Sequence, residues 1–543
     1  MKYSSEGLSR RKFLGVTAAG LVVGSGGVSA KTASSTQVSK MEPVDYSAQR
    51  DGAIGEVGPA GSLSEAWGGG VSAWRNGVEV GPIVGETVYA AGERLGAFDI
   101  EDGTEQWIFT GGPPPEPNPE ADHPDVEPPT VVDGTVYAPI HYGVFDAFDH
   151  VQAALVALDA ETGKKRWRVE FPVKAELSSV TVGDGLLYVV GGDIDGGEYT
   201  YLYCLQPEDG SVRWRQRIDR EEHSTAGAPH VENGLVIATQ PETVTAYDTR
   251  TGETVWSVSQ RQTPIKDQES ANGQLFITRA RGIVSYDRTS GDELWSALPR
   301  VQELSIEAIA DGTIYVHEST DPGITVIALD AETGEQRWKQ AFSQNGYVTE
   351  MATDVDHLYV DIYRRGENGT IVALNRTDGS EQWRTTDVDR SHEEESTERV
   401  PRGILTRIGS LLYAGGAILD PATGTIKQTF THDAGVMTTY RVEAITAGKL
   451  FLGGGGLIVV EGETTQQGTP QPTATEPAAT PESTKMSSTA RTTDAGPSTT
   501  AIPPAERTES TPAGDETTAT NGPGFTIPAA IAALGIAGWR RRR

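Results

Sequence analysis

Ala157-Leu158-Asp159-Ala160-Glu161-Thr162-Gly163-Lys164-Lys165-Arg166-Trp167 is the stretch whose reading decides the fold. Its frame is an apolar run, an acid, a Gly four residues later and a Trp four after that. The frame recurs with Trp107, Trp167, Trp214, Trp256, Trp295, Trp338 and Trp383, at spacings of 60, 47, 42, 39, 43 and 45 residues. The acid returns as Asp99, Asp248, Asp287 and Asp330, and the Gly as Gly210, Gly252, Gly291, Gly334 and Gly379. A last copy keeps Asp420 and Gly424 but has Gln428 where the Trp belongs. A period in the forties marks a repeat architecture, in which each unit buries its apolar face only against its neighbours.

Upstream of each phrase lies a second repeated unit, as in Val131-Val132-Asp133-Gly134-Thr135-Val136-Tyr137. Asp-Gly or Asn-Gly between β-branched and aromatic runs predicts a tight hairpin, because a type I′ turn needs positive φ at both central residues. The phrase adds two more strands, Leu155 to Leu158 and Arg166 to Phe171, around the turn Asp159 to Gly163. There the carboxylate can accept backbone N–H groups and the Gly can take the left-handed conformation. Four antiparallel strands in about 45 residues make a propeller blade.

The Ala-x-Asp-x-x-Thr-Gly-x-x-x-Trp frame resembles the tryptophan-docking motif of the PQQ-like, quinoprotein-type β-propeller repeats. That family includes PQQ-dependent alcohol dehydrogenases and an outer-membrane assembly lipoprotein. The resemblance runs from Val78 to Gly462. Hairpin units begin near Ile83, Val131, Val180, Val231, Ser270, Ile309, Ala352, Leu405 and Ile445, which counts nine, whereas most relatives have eight. The expectation is an all-β propeller of four-stranded antiparallel blades, eight or alternatively nine. An N-terminal strand, read at Val71 to Arg75 with Trp74, closes the ring.

Composition narrows the surroundings. Asp and Glu number 76 against 45 Lys and Arg, a net charge of −31, and Arg outnumbers Lys. Lys-poor acidity suits a high-salt habitat, where carboxylates keep the surface hydrated and screening blunts their repulsion. It also speaks against nucleic acid as a partner. The single cysteine, Cys204, forbids an intrachain disulfide and reads as a small core residue.

Both ends read as addresses. Residues 1–30 carry a twin-arginine signal, with Arg10 and Arg11 ahead of an apolar run that ends in a cleavage site at Ala30. Residues 31–66 read as a flexible segment, 67–462 as the propeller, and 463–521 as a disordered Thr/Pro-rich stalk. Residues 522–543, with Pro523-Gly524-Phe525, an apolar segment and an Arg cluster, resemble the archaeal sorting signal named for that motif. The resemblance implies removal of the tail and attachment to lipid. The expected location is the outer face of the cell membrane.

Propeller geometry puts the short turns on one face and the loops between second and third strands, and between blades, on the other. Nearly every insertion belongs to the second class, including Gly111 to Pro129, Pro139 to Gln152, Gly191 to Tyr199, Arg220 to Pro229 and Asp387 to Pro401. Loops on a rigid scaffold are where binding residues concentrate. His123, His141, Tyr142, His150, His223, His392 and His432 are the partner-face candidates. Asp193, Asp195 and Glu198, in a Gly-bent loop, offer hard oxygens for a metal but do not complete a calcium loop. Asn368 and Asn375 stand in glycosylation sequons, although Asn375 also occupies the turn position of the repeat acid.

For the dehydrogenases of the family the resemblance implies PQQ with calcium, an Asp base, an Arg, a stacking Trp and commonly a disulfide of adjacent cysteines. A chain with Cys204 alone lacks that disulfide, and no motif carries the other groups to named positions, so no cofactor is expected. The expected function is a non-catalytic, exported, surface-anchored propeller that binds a protein or glycan through its long-loop face. A PQQ-dependent dehydrogenase acting on alcohols or sugars, and an envelope assembly scaffold, are the alternatives.

Overall fold

The computed structural model describes residues 58–464 except 72–76, 115–122, 144–149, 172–176, 193, 195–198, 219–227, 241–242, 260–264, 280, 302–303, 321–322, 343–345, 364–367, 389–397, 400, 434–439 and 447. They form a β-propeller without helices. Antiparallel sheets follow one another along the chain as blade 1 (79–109), blade 2 (123–171), blade 3 (181–218), blade 4 (230–259), blade 5 (265–297), blade 6 (304–342), blade 7 (347–388), blade 8 (405–429) and blade 9 (441–464). Consecutive strands pair in order from the inside outward, except that in blade 2 both His123–Val126 and Thr130–Val132 pair with Thr135–Gly143, and in blade 9 Arg402–Gly403 adds a short parallel strand inside the first. The first strands of most successive blades meet around the axis, and that of blade 9 meets that of blade 1.

The hairpin units fold as their turn residues dictate. Asp133, Asp184, Asn233, Asn272 and Asp311, each followed by a Gly, all have φ between 45° and 53°. Between blades lie apolar layers such as Tyr137, Ala157, Trp167, Leu187, Val189 and Tyr203, so every sheet is covered on both faces. Cys204 is fully buried in such a layer, as expected.

The ring has nine blades and not the eight favoured by precedent. The irregular unit at Leu405 forms a complete four-stranded sheet, and its Leu412, Ala414, Ala417 and Leu419 pack against Tyr359 and Trp383 of blade 7. The closing strand also lies earlier than read from sequence. Blade 9 receives its outer strand from Pro59–Gly69, which pairs antiparallel with Leu457–Thr464. Strand structure therefore begins inside the segment read as flexible, and Trp74 lies outside the described residues. The small and polar residues of Pro-Ala-Gly-Ser-Leu-Ser-Glu-Ala-Trp-Gly-Gly give little strand signal; the open edge of the partner strand supplies what propensity does not.

Trp67, on this closing strand, lies against Gly103 of blade 1, where an added Cβ would meet its ring at 2.5 Å. The seam between blades 8 and 9 is built differently. Gln428 stands at the Trp position, and the start of the closing strand fills the space. The Tyr413 hydroxyl donates to the Pro59 carbonyl at 2.9 Å, and Ala60 and Leu63 pack on the layer of Ile418 and Phe430.

Candidate functional site

The repeated phrase assembles a contact between blades. Trp107, Trp167, Trp214, Trp256, Trp295, Trp338 and Trp383 each donate Nε1–H to a carbonyl of the next blade's turn, at 2.7–3.1 Å. Each indole lies on the glycine of that turn: Trp107 on Gly163, Trp167 on Gly210, Trp214 on Gly252, Trp256 on Gly291, Trp295 on Gly334, Trp338 on Gly379 and Trp383 on Gly424. The acid organises the turn. Asp159 Oδ1 accepts the Thr162 amide at 3.0 Å, and Arg166 donates to Oδ2 at 2.8 Å, holding the carboxyl at about 2. Asp248, Asp287 and Asp330 accept the equivalent amides, and Asp420 and Asp99 accept the amide two residues on, from Ala422 and Glu101. These residues hold neighbouring blades of the ring together.

The opposite face carries the long connections, and the residues singled out there separate. His141 and Tyr142 are buried, which removes them from the exposed surface. His141 Nε2 accepts the Leu177 amide, in the connection leading to blade 3, at 3.0 Å while Nδ1 faces Glu127 at 3.5 Å, and the Tyr142 hydroxyl donates to the Gly111 carbonyl at 2.8 Å. His123, His150 and His432 fall at strand ends. His223, His392, Asp193, Asp195 and Glu198 lie outside the described residues. Asn368 is exposed, and Asn375 accepts the Thr377 amide at 2.8 Å, performing the turn role of the repeat acid.

Sequence reading missed a third set, on the innermost strands. In blades 1, 5, 6, 7 and 9 the first strand shifts register against the second, a β-bulge that falls at Glu307 in blade 6 and at Glu443 in blade 9 and just before Asp267 in blade 5 and Glu350 in blade 7. Carboxylates cluster at these bulges: Asp267, Glu307, Glu350 and Glu443. Three of them accept a backbone N–H from the first strand of the next blade. Glu443 accepts from Val80 at 2.6 Å, Asp267 from Ile306 at 3.0 Å, and Glu350 from Leu405. Apart from blade 9, whose first strand pairs with Arg402–Gly403, the innermost strands have no sheet partner on the axial side, so their amides need acceptors, and a neighbouring carboxylate is a strong one. The signal was present in sequence as a Glu four residues before the hairpin turn in otherwise apolar strands, at Glu307 and Glu350.

In blades 6, 7 and 9 the set converges. Glu350 lies across its hairpin from Asp361, which is 1% exposed, and it also feels Glu307 of blade 6 and Arg441 of blade 9. His317 Nδ1 stands 3.0 Å from Glu307. Above them, at the long-loop end of the first strand of blade 7, Tyr347 is 68% exposed. Desolvation, reinforced by Asp361 and Glu307 and opposed by the Leu405 amide and Arg441, pushes Glu350 up to about 8.

A carboxyl whose folded value exceeds its unfolded one keeps its proton in the folded state. Its contribution is therefore fully present below the unfolded value near 4.5 and is lost as pH rises through 8. Glu350→Gln is expected to flatten the fall in stability between pH 5 and pH 9 and to exceed the parent at pH 9 by at least about 1 kcal/mol. Urea midpoints at the two pH values measure this, and parallel profiles would refute it.

The donor set does not match the calcium and quinone arrangement implied by the resemblance. Among the described residues no three His, Cys, Asp or Glu side chains are grouped to hold a metal ion. The seven indoles of the phrase are committed to docking on the other face, and axial carboxylates hold backbone amides.

Comparison with known proteins completes the picture. The family described as outer membrane protein assembly factor BamB matches residues 151–278 and 279–483. No curated protein matches the chain. Among solved structures, BamB from Moraxella catarrhalis is 16% identical, over 74% of this chain and 99% of that one, with a TM-score of 0.43. Quinohemoprotein alcohol dehydrogenase ADHIIG from Pseudomonas putida HK5 is 12% identical, over 78% and 79%, with a TM-score of 0.41. Sqt1 from Saccharomyces cerevisiae is 12% identical, over 76% and 99%, with a TM-score of 0.41.

Proposed function

We propose, for a chain that belongs to the family of the outer membrane protein assembly factor BamB, a non-catalytic role: an exported, surface-anchored propeller that captures an envelope partner through its long-loop face. The observation that carries the reading is the difference between the two faces. One is made of short turns closed by Asp, Gly and Trp. The other carries nearly every long connection, with Tyr347 exposed at the long-loop end of the innermost strand that bears Glu350. Loops held by a rigid scaffold suit recognition. Carboxylates engaged by backbone amides are poor candidates for a free general base.

The twin-arginine segment with Arg10 and Arg11, the Thr/Pro-rich stalk and the Pro523-Gly524-Phe525 tail support export and anchoring at the outer face of the membrane. Envelope assembly scaffolding is an alternative to this capture reading. Capture is tested with the full-length protein as bait for envelope extracts, compared with a variant in which residues 115–122 and 389–397 are replaced by short Gly-Ser links and Tyr347 by Ala. Capture is expected to fall at least tenfold with the melting temperature unchanged. Undiminished capture would place recognition elsewhere. PQQ-dependent and calcium-dependent dye reduction with alcohols or sugars would replace this reading by the dehydrogenase one.

A further inference from the structure

The chain holds two Asn-x-Thr sequons, Asn368-Gly369-Thr370 and Asn375-Arg376-Thr377, and blade 7 presents them in different states. Asn368 is exposed, but Thr370 lies in the third strand opposite Ile362, is 2% exposed and already has a partner. A hydroxyl enclosed in a sheet is out of reach from outside the folded chain. Asn375 ends the same strand and opens the turn that follows it, on the short-turn face, where Thr377 is exposed.

The turn engages only half of the Asn375 amide. Its Oδ1 accepts the Thr377 N–H at 2.8 Å, and an amide nitrogen, which only donates, cannot take that place. In blades 2, 6 and 8 a cation seven residues on holds the second oxygen of the turn acid: Arg166 at 2.8 Å from Asp159, Arg337 at 2.7 Å from Asp330 and Lys427 at 3.0 Å from Asp420. Blade 7 has Gln382 there, and Gln382 donates to Ser380. Arg376, the middle residue of the sequon, reaches away to Tyr315 and Asp311 of blade 6. Among the described residues nothing accepts from Asn375 Nδ2, and the atom is not buried, so it meets solvent.

We infer that Asn375 is an N-glycosylation site of the folded chain and that Asn368 is not, from the free amide nitrogen and exposed hydroxyl of the one sequon and the enclosed hydroxyl of the other. The inference rests on the export reading above and takes the folded chain as the substrate of an envelope glycosyltransferase. The donor is a lipid-linked sugar phosphate. The bond from the sugar's anomeric carbon to the phosphate oxygen breaks, and the lipid phosphate leaves with the electron pair. A bond forms from that carbon to Nδ2, which gives one proton to a base of the transferase. The product is a secondary amide that keeps its carbonyl, so the Thr377 N–H keeps its acceptor and Gly379 stays under Trp338. Turn role and modification are therefore compatible at this one residue. A glycan there adds a bulky hydrophilic group to the short-turn face and leaves the long connections uncovered.

The test uses the full-length protein recovered from the envelope of the cells that encode it. Cleavage after glutamate leaves both asparagines on one fragment, residues 368–381, so electron-transfer fragmentation assigns the modified residue. The mass increment of a glycan is expected on Asn375, with Asn368 bare. Asn375→Asp and Thr377→Ala should each abolish it, and Asn368→Gln should leave it in place. The first of these keeps an oxygen to cap the turn, and the second keeps the backbone N–H that it caps. Made in cells without the transferase, both should melt like the bare parent, which separates loss of the glycan from loss of the fold. A bare Asn375, any increment on Asn368, or an increment that survives Thr377→Ala would overturn the proposal. Protease shaving of intact cells shows whether the chain reaches the surface. A surface-exposed chain that is bare at Asn375 sinks the site and leaves the export reading standing. If no chain reaches the surface, the two fall together.

Discussion

A chain beginning at Gly70 is expected to lose its single cooperative unfolding transition and to aggregate at concentrations where the parent is monodisperse. The truncation removes Pro59–Gly69 and with it the outer strand of blade 9, the Trp67 contact with Gly103, and the filling of the seam between blades 8 and 9. It leaves the Leu457–Thr464 edge unpaired and exposes the layer of Ile418, Val442, Ile458 and Val460. An open ring with a bare apolar strand edge is a template for pairing with another chain. The cost should exceed the roughly 4–5 kcal/mol that marks an exceptional point substitution. Thermal scans with light scattering measure it. Adding a peptide of residues 58–70 should restore part of the transition, and a truncated chain that melts like the parent would disprove closure by this strand.

The second large effect concerns the docking glycines. Gly163 and Gly134 both have positive φ, 65° and 69°, so an L side chain is strained at either. Their surroundings differ. A Cβ on Gly134 meets nothing within 4 Å, whereas one on Gly163 falls 2.6 Å from the Trp107 ring. Gly134→Ala should cost about 1–2 kcal/mol from backbone strain alone. Gly163→Ala should cost about 1–3 kcal/mol more, because the indole must move off its carbonyl partner at Ala160. In Trp107→Ala, itself worth about 3–5 kcal/mol, the extra cost of Gly163→Ala should disappear. Denaturant midpoints of the four chains complete the cycle; additive losses would mean that glycine and indole are not in contact.

The docking phrase was legible because it is local. Asp159, Gly163 and Trp167 sit at fixed offsets, and the turn they build is determined by carboxylate capping and by a φ that suits glycine. The same holds for the Asp-Gly and Asn-Gly hairpins. Gln428 was read as a defect in the eighth copy, and only the ring explains it, since Pro59, Ala60 and Leu63 arrive from the far end of the chain to occupy that seam. His141 and Tyr142 were misread for the converse reason. They neighbour a long connection in sequence, but the second strand of blade 2 continues past the expected loop boundary and buries the two side chains on its opposite faces.

Sequence by itself determined the repeat, the four-stranded blade, the chain's acidity and which face the long connections occupy. All four follow from spacing and composition, which need no knowledge of distant neighbours. Tertiary structure alone decided the number of blades, the strand that closes them, and the convergence of Glu307, Glu350, Asp361 and Arg441 at the axis. Each of those joins residues from different blades or opposite ends of the chain, and ring closure is the constraint that brings them together.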